Sequence, residues 1–173
     1  MEKDDIEFIV ECFNNIDSYE HDPITQVSRE EKMKEFDNPT QLSIVTEPGR
    51  FIIERKDGTK IGYVRHWFVQ PIRLMEIGYF IIPSERGKGC GAEAVQIMVD
   101  YLFLSRDISR IQAITNVENK ASQRVLEKVG FKREGTIRKS AFVRGQWANA
   151  YLYSILREEW KEPKTLTKPT SQS

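Results

Sequence analysis

Residues 84–91 read Ser84-Glu85-Arg86-Gly87-Lys88-Gly89-Cys90-Gly91 and carry the plainest chemical signal in the chain. Three glycines in five positions let the backbone turn tightly and present its N–H groups. A β-prone run precedes this loop and a helix-period run follows it. The loop therefore opens a helix, where the macrodipole favours negative charge. Such donors suit a phosphate or pyrophosphate; the bland alternative is a glycine-rich turn with no ligand. Two phosphate motifs do not match. A Walker A loop needs Ser or Thr after its Lys, and Gly89 follows Lys88. A dinucleotide fingerprint needs Gly-x-Gly-x-x-Gly after the first strand of a βαβ unit, and Gly87-x-Gly89-x-Gly91 has another spacing.

The elements that must hold this loop follow from periodicity. Ile6, Ile9, Val10, Phe13 and Ile16 predict a helix over 4–16. Ser28-Arg29-Glu30-Glu31 is a capping box that opens a second helix through about residue 36. Strands are predicted over 51–54, 61–69 and 74–82, with Asp57-Gly58 as a hairpin turn. After the loop a helix over 91–105 buries Ala92, Val95, Met98, Val99, Leu102 and Phe103. A strand over 110–115, a helix over 121–129 and strands over 132–138 and 150–156 close the domain. This order describes a mixed α/β (α+β) sheet domain.

A chain of 173 residues fits one domain, here 1–160, followed by a polar stretch over 161–173 expected to be a disordered tail. Lys and Arg number 26 against 26 Asp and Glu, which argues against a general nucleic-acid binder and a polybasic membrane anchor. No run reaches the roughly 18 apolar residues of a membrane span. The acidic start, Met1-Glu2-Lys3-Asp4-Asp5, lacks an apolar signal core. Two cysteines, Cys12 and Cys90, make neither a disulfide framework nor a zinc site. The expectation is a reduced cytoplasmic protein without a metal.

Four further stretches sharpen the reading. Arg86-x-x-Gly89-x-Gly91 resembles the Gln/Arg-x-x-Gly-x-Gly/Ala signature of the GNAT acyltransferase superfamily. Glu76-Ile77-Gly78-Tyr79 precedes it, as on the fourth strand of many members. Asn119-x-x-Ser122 with Leu126-Glu127-Lys128-Val129-Gly130-Phe131 resembles the second helical motif of the Rim-type branch, the N-terminal protein acetyltransferases and their relatives. Gly145-Gln146-Trp147 and residues 151–160 resemble its closing strands. The likeness runs from about residue 4 to 160.

The resemblance implies a mostly antiparallel sheet flanked by helices, with a splayed strand pair holding acetyl-CoA, and transfer of the acetyl group to an amine by direct attack. It implies that backbone N–H groups from Gly87 to Ala92, including Cys90, cradle the CoA pyrophosphate, with Arg86 and Lys88 adding cations. It implies that the pantetheine arm pairs with main chain near Phe80, Ile81 and Ile82. Asn119 and Lys128 fall on the second motif helix among the expected cofactor contacts. Many members carry a proton-donating Tyr on that helix. Leu126 stands there instead, so the resemblance passes the role to Ser122. Glu76 is the candidate base. Asn149 stands where relatives often have an acid. His66 and His21 are further titratable groups, although a lone His is more often a strand or surface residue. The missing first strand leaves one sheet edge less covered, which a homodimer would protect.

The zero net charge conceals an asymmetry. Residues 1–35 hold 11 acids against 4 bases, and the remainder holds 15 acids against 22 bases, so the halves carry −7 and +7. An acidic acceptor wall beside a CoA-binding body predicts a cationic acceptor: a polyamine, a protein N-terminus or another small amine. Solvated acidic helices give the same count without a role. Two alternatives to the N-acetyltransferase are a non-catalytic acyl-CoA sensor, suggested by Leu126 and Asn149, and a different phosphate-ligand enzyme sharing only the loop.

Overall fold

The structure, a computed structural model, describes all residues except 16–17, 24–25, 38–44, 70–73, 162 and 164–173. Ile16 and most of the expected tail lie outside the described residues. Helices α1 (Ile6–Asn14) and α2 (Arg29–Asp37) come first, followed by strands β1 (Val45–Glu54), β2 (Lys60–Val69) and β3 (Leu74–Ile81). Helix α3 (Cys90–Ser105), β4 (Arg110–Asn116), α4 (Lys120–Val129), β5 (Lys132–Val143) and β6 (Gln146–Leu156) complete the domain.

Local chemistry explains the boundaries. The Ser28 box forms: Ser28 Oγ accepts from Glu31 N at 3.1 Å and Glu31 Oε2 from Ser28 N at 2.7 Å. Asp57 Oδ1 accepts from Thr59 N at 2.9 Å to close the β1–β2 turn. Three strands outrun their expected limits. β1 begins at Val45, hidden in the sequence by Pro48-Gly49, where the register shifts. β5 and β6 extend toward the Arg144-Gly145 turn, whose φ values of 47° and 83° match the twist of a hairpin. Their outer halves are mostly exposed, so no apolar alternation marks them.

The six strands run in the order β1-β2-β3-β4-β6-β5, and every neighbouring pair is antiparallel except β3–β4. This is the mixed, mostly antiparallel sheet expected. β1 and β5 are its edges. One face carries Val64, Phe68, Met75, Ile77 and Ile111, packed against the expected stripe of α3 and against Leu126 and Val129 of α4. The other carries Tyr63 and Phe80, covered by Ile9 and Cys12 of α1. Strict alternation along β3 thus sends odd-numbered side chains toward α3 and α4 and even-numbered ones toward α1.

The parallel pair is short. β3 and β4 share only two register partners, Met75↔Ile111 and Glu76↔Gln112. β3 then runs on to Ile81 and β4 to Asn116 without pairing, which opens the splay between them. β4 stays straight because β6 pairs it along its whole length.

Candidate active site

The glycine loop sits at the open end of this splay. Gly87 and Gly89 have φ of 76° and 89°, left-handed values that side chains rarely adopt, and nothing lies within 4 Å of a Cβ built at either. Glycine is needed here for backbone angle rather than for space. Gly89 is the N-cap of α3, so Cys90 and Gly91 begin the helix with unused N–H groups. Among the described residues, no hydrogen bond uses the N–H of Gly87, Lys88 or Gly89. Ala92 differs from expectation: its N–H donates to Gly89 O at 3.0 Å, closing the first helical turn. Gly91 packs the helix start against Val125 and Ile81. These outward N–H groups and open glycines fit a pyrophosphate.

The two expected cations are engaged elsewhere. Lys88 Nζ pairs with Glu85 at 3.1 Å, and Arg55 pairs with the same carboxylate. Arg86 Nε donates to Ile81 O at 3.0 Å, and its Nη2 donates to Ser18 O at 3.1 Å. The guanidinium also lies 5.7 Å from the Phe80 ring centroid. On the far lip, Asn116 Nδ2 donates to His21 O at 2.8 Å. The connection between α1 and α2 is therefore tied to both sides of the splay.

The main chain facing the gap is not quite the expected one. Ile82 N donates to Ile61 O on β2 at 3.0 Å. In an antiparallel ladder the bonded residues alternate, so Phe80 and Ile82 turn their backbone groups to β2. The groups of Tyr79 and Ile81 turn into the splay, where Arg86 already meets Ile81 O. Side-chain and backbone alternation are opposite questions, and the sequence motif marks only the strand.

Glu76 stands at the apex, in the last register pair before the strands part. Its Oε2 accepts from Gln112 Nε2 at 2.7 Å. Burial raises its pKa, while the Gln112 bond and the nearby Arg65 charge oppose that shift. Arg65 stacks over Trp67, with 4.8 Å between guanidinium and ring centroid, and lies within electrostatic reach of Glu35 and Asp22 also.

Ser122 approaches from the other face. Asn119 caps α4, its Oδ1 accepting from Ser122 N at 3.0 Å. Ser122 Oγ is 2.8 Å from the hydroxyl of Tyr79, which the sequence reading did not single out. Leu126 is 0 % exposed and belongs to the core. Lys128 is exposed in the last turn of α4, away from the helix start that meets the splay. Asn149 serves the hairpin: its Oδ1 accepts from Lys139 N at 2.9 Å, where φ is 49° and the β5–β6 register shifts. His66 is buried beside Phe51 and Tyr101, and His21 contributes its carbonyl. Neither imidazole joins Glu76 and Ser122. Among the described residues there is no cluster of three or more metal-ligating side chains, nor a helix long and apolar enough to cross a membrane.

Comparison with known proteins agrees with this geometry. The sequence model of the GNAT acetyltransferase domain matches residues 1–132. YoaA of Bacillus subtilis (strain 168), described as an uncharacterized N-acetyltransferase, is 33% identical over 165 residues, 88% of each chain. The spermidine N(1)-acetyltransferase of Escherichia coli (strain K12) is 32% identical over 129 residues, 71% of this chain and 69% of that one. The crystal structure of spermidine N-acetyltransferase from Vibrio cholerae in complex with CoA and spermine shares the fold, with a TM-score of 0.81 at 23% identity over 92% of this chain and 94% of that one. A glycine loop, a splay and an acid at its apex are thus found in a chain that belongs to the GNAT family, as an acetyl-CoA-dependent N-acetyltransferase.

Proposed function

We propose that the chain acetylates the primary amine of a small cationic acceptor of the polyamine type, with Glu76 taking the proton from the ammonium and Ser122 protonating the departing thiolate. The observation that carries this reading is the placement of the two groups. Glu76 closes the apex of the splay on the α1 face, and Ser122 lines it on the α3–α4 face. An amine entering from one side and a thioester from the other meet between them.

Acetyl-CoA supplies an activated acetyl carbonyl, which the residues of the splay would hold and polarise. Backbone N–H groups at Gly87, Lys88, Gly89, Cys90 and Gly91 take the pyrophosphate. The main chain of Tyr79 and the N–H of Ile81 are left to pair the pantetheine amides, and one of these N–H groups faces the thioester oxygen. Glu76 removes one proton from the acceptor ammonium, and the neutral nitrogen attacks. As the C–S bond breaks, the electron pair passes to sulfur, which takes a proton from Ser122. Ser122 regains one as the acetylated nitrogen sheds its second. One proton in all leaves to solvent through Glu76.

The acceptor class rests on charge and kinship. On the α1 side of the sheet Glu76 and Asp22 lie within electrostatic reach of Arg65, while Glu35 is already paired with Lys32 and Arg50. Several other acids of residues 1–35 are neutralised: Glu7 by Arg29, Glu30 by Lys34 and Asp5 by Lys60. Glu76 and Asp22 leave negative charge at the splay that a cationic acceptor can meet. Two proteins that this chain resembles are named for spermidine acetylation.

The test is CoA release with spermidine, a peptide with a free N-terminus, a neutral primary amine and an acidic amino acid as acceptors. Highest kcat/KM for the polyamine supports the reading. Preference for the neutral or acidic amine would overturn the acceptor class, and no release with any amine would overturn the reaction.

A further inference from the structure

We propose that Tyr79 is the positioning residue for the Ser122 hydroxyl, a tyrosine brought from β3 to serve the donor on α4. The proposal rests on the reading of Ser122 as proton donor and deepens it. Tyr79 is odd-numbered on β3, so its side chain crosses the α3–α4 face toward the helix start. Its hydroxyl lies 2.8 Å from Ser122 Oγ and 3.2 Å from Ser122 O. The Ser122 N–H is already held by Asn119 Oδ1 at 3.0 Å. The phenol has one hydrogen, and the shorter contact is to Oγ, so Ser122 is held at its amide and at its hydroxyl, which is more than a helix-surface serine needs.

The direction of the short bond decides what the grip does. A seryl oxygen has one hydrogen to give and two lone pairs to fill. With the phenol donating to Oγ, the seryl hydrogen is released from local partners and points into the gap. Burial pushes the Tyr79 hydroxyl up to about 12, so the phenol keeps its hydrogen, and with it the capacity to donate, throughout the working pH range. Tyr79 also packs against the main core cluster, which fixes the ring. A grip of this kind removes rotamers that would turn the serine away and lowers the entropic cost of reaching the reactive geometry.

The experiment compares Tyr79→Phe, Ser122→Ala and the double variant in the holo-assay with acetyl-CoA and spermidine, with an acetyl-CoA thermal shift on each as the folding control. Tyr79→Phe keeps the packed ring. The expected result is a fall in kcat of about tenfold in Tyr79→Phe, a part of the roughly 10²–10⁴-fold that general acid catalysis commands, with KM for acetyl-CoA changed less than about twofold. Ser122→Ala falls further, and the double variant matches Ser122→Ala alone, because Tyr79 acts through Ser122. If Ser122→Ala keeps its rate, both the donor reading and this proposal are overturned. If Ser122→Ala is slow but Tyr79→Phe is not, or the two losses multiply, only the positioning role is overturned. Equal losses in kcat and in acetyl-CoA binding would mark Tyr79 as packing and also overturn it. A Tyr79→Phe variant that does not melt cooperatively is replaced by Tyr79→Leu, which fills much of the site and has no hydrogen-bond donor; the same outcomes then decide.

Discussion

Gln112 Nε2 donates to Glu76 Oε2 across the last register pair of β3 and β4, at 2.7 Å. The bond spans the point where the strands separate, so it fixes the apex and tunes the acid at once. Burial raises the Glu76 pKa and the Gln112 bond lowers it. A base must be ionised, so activity falls as pH drops through this pKa. Gln112→Leu removes a stabiliser of the charged form. Its pKa then rises, and the acid limb of the kcat/KM profile moves to higher pH with the plateau largely kept. Glu76→Gln is expected to lose on the order of a hundredfold in kcat together with that limb. An unmoved limb in Gln112→Leu would remove Glu76 from the proton path.

Arg86 links the cofactor loop to the acceptor side. It bonds Ile81 O on β3 and Ser18 O in the connection after α1. Replacing it with Met should raise KM for the amine several-fold by freeing that connection. A direct phosphate contact would raise KM for acetyl-CoA alone, so paired KM measurements separate the two roles.

The loop, its helix and the order of elements were legible in the sequence because glycine spacing and the 3.6-residue period are local signals. The apolar stripe of α3 was read residue for residue. The ends of β1, β5 and β6 were not, because Pro48 and exposed polar positions carry no alternation. Tyr79 escaped notice for a different reason. In Glu76-Ile77-Gly78-Tyr79 it reads as an ordinary strand aromatic, and its partner is 43 residues away. Arg86 was read as a phosphate ligand from its place in the motif, but the acceptors it finds belong to Ile81 and Ser18. Charge type is local information; the direction in which a long side chain reaches is not.

The glycines separate into two kinds. A Cβ at Gly89 would meet nothing within 4 Å, but φ is 89°. Gly89→Ala should therefore cost about 1–2 kcal/mol through backbone strain and weaken the acetyl-CoA thermal shift. At Gly62 on β2 a Cβ would lie 2.1 Å from Phe80 O. Main chain cannot yield as a side-chain tip can, so Gly62→Ala should push β2 from β3 and lower the melting temperature more than Gly89→Ala does. The reverse order would mean that the β2–β3 ladder absorbs the clash.

The straight lip of the splay has its own anchor, which pH can probe. Arg110 at the start of β4 holds Glu134 of β5 with two bonds, at 2.6 and 2.7 Å, across the intervening β6. Arg110, and then Ser154, hold the Glu134 pKa down to about 2. A carboxylate depressed in the folded state adds stability above its unfolded value, near 4.5, and that contribution drains away as pH falls toward 2. Glu134 is 39% exposed, so water screens the pair and the effect is modest. Urea unfolding of the wild type and Glu134→Gln should show the wild type more stable at pH 7, with the gap narrowing steadily from about pH 4.5 to pH 3. Salt should narrow it at pH 7 as well. A gap independent of pH would mean that Glu134 acts by packing on Ser154 rather than by charge, and the rigidity of β4 would then rest on the β6 ladder alone.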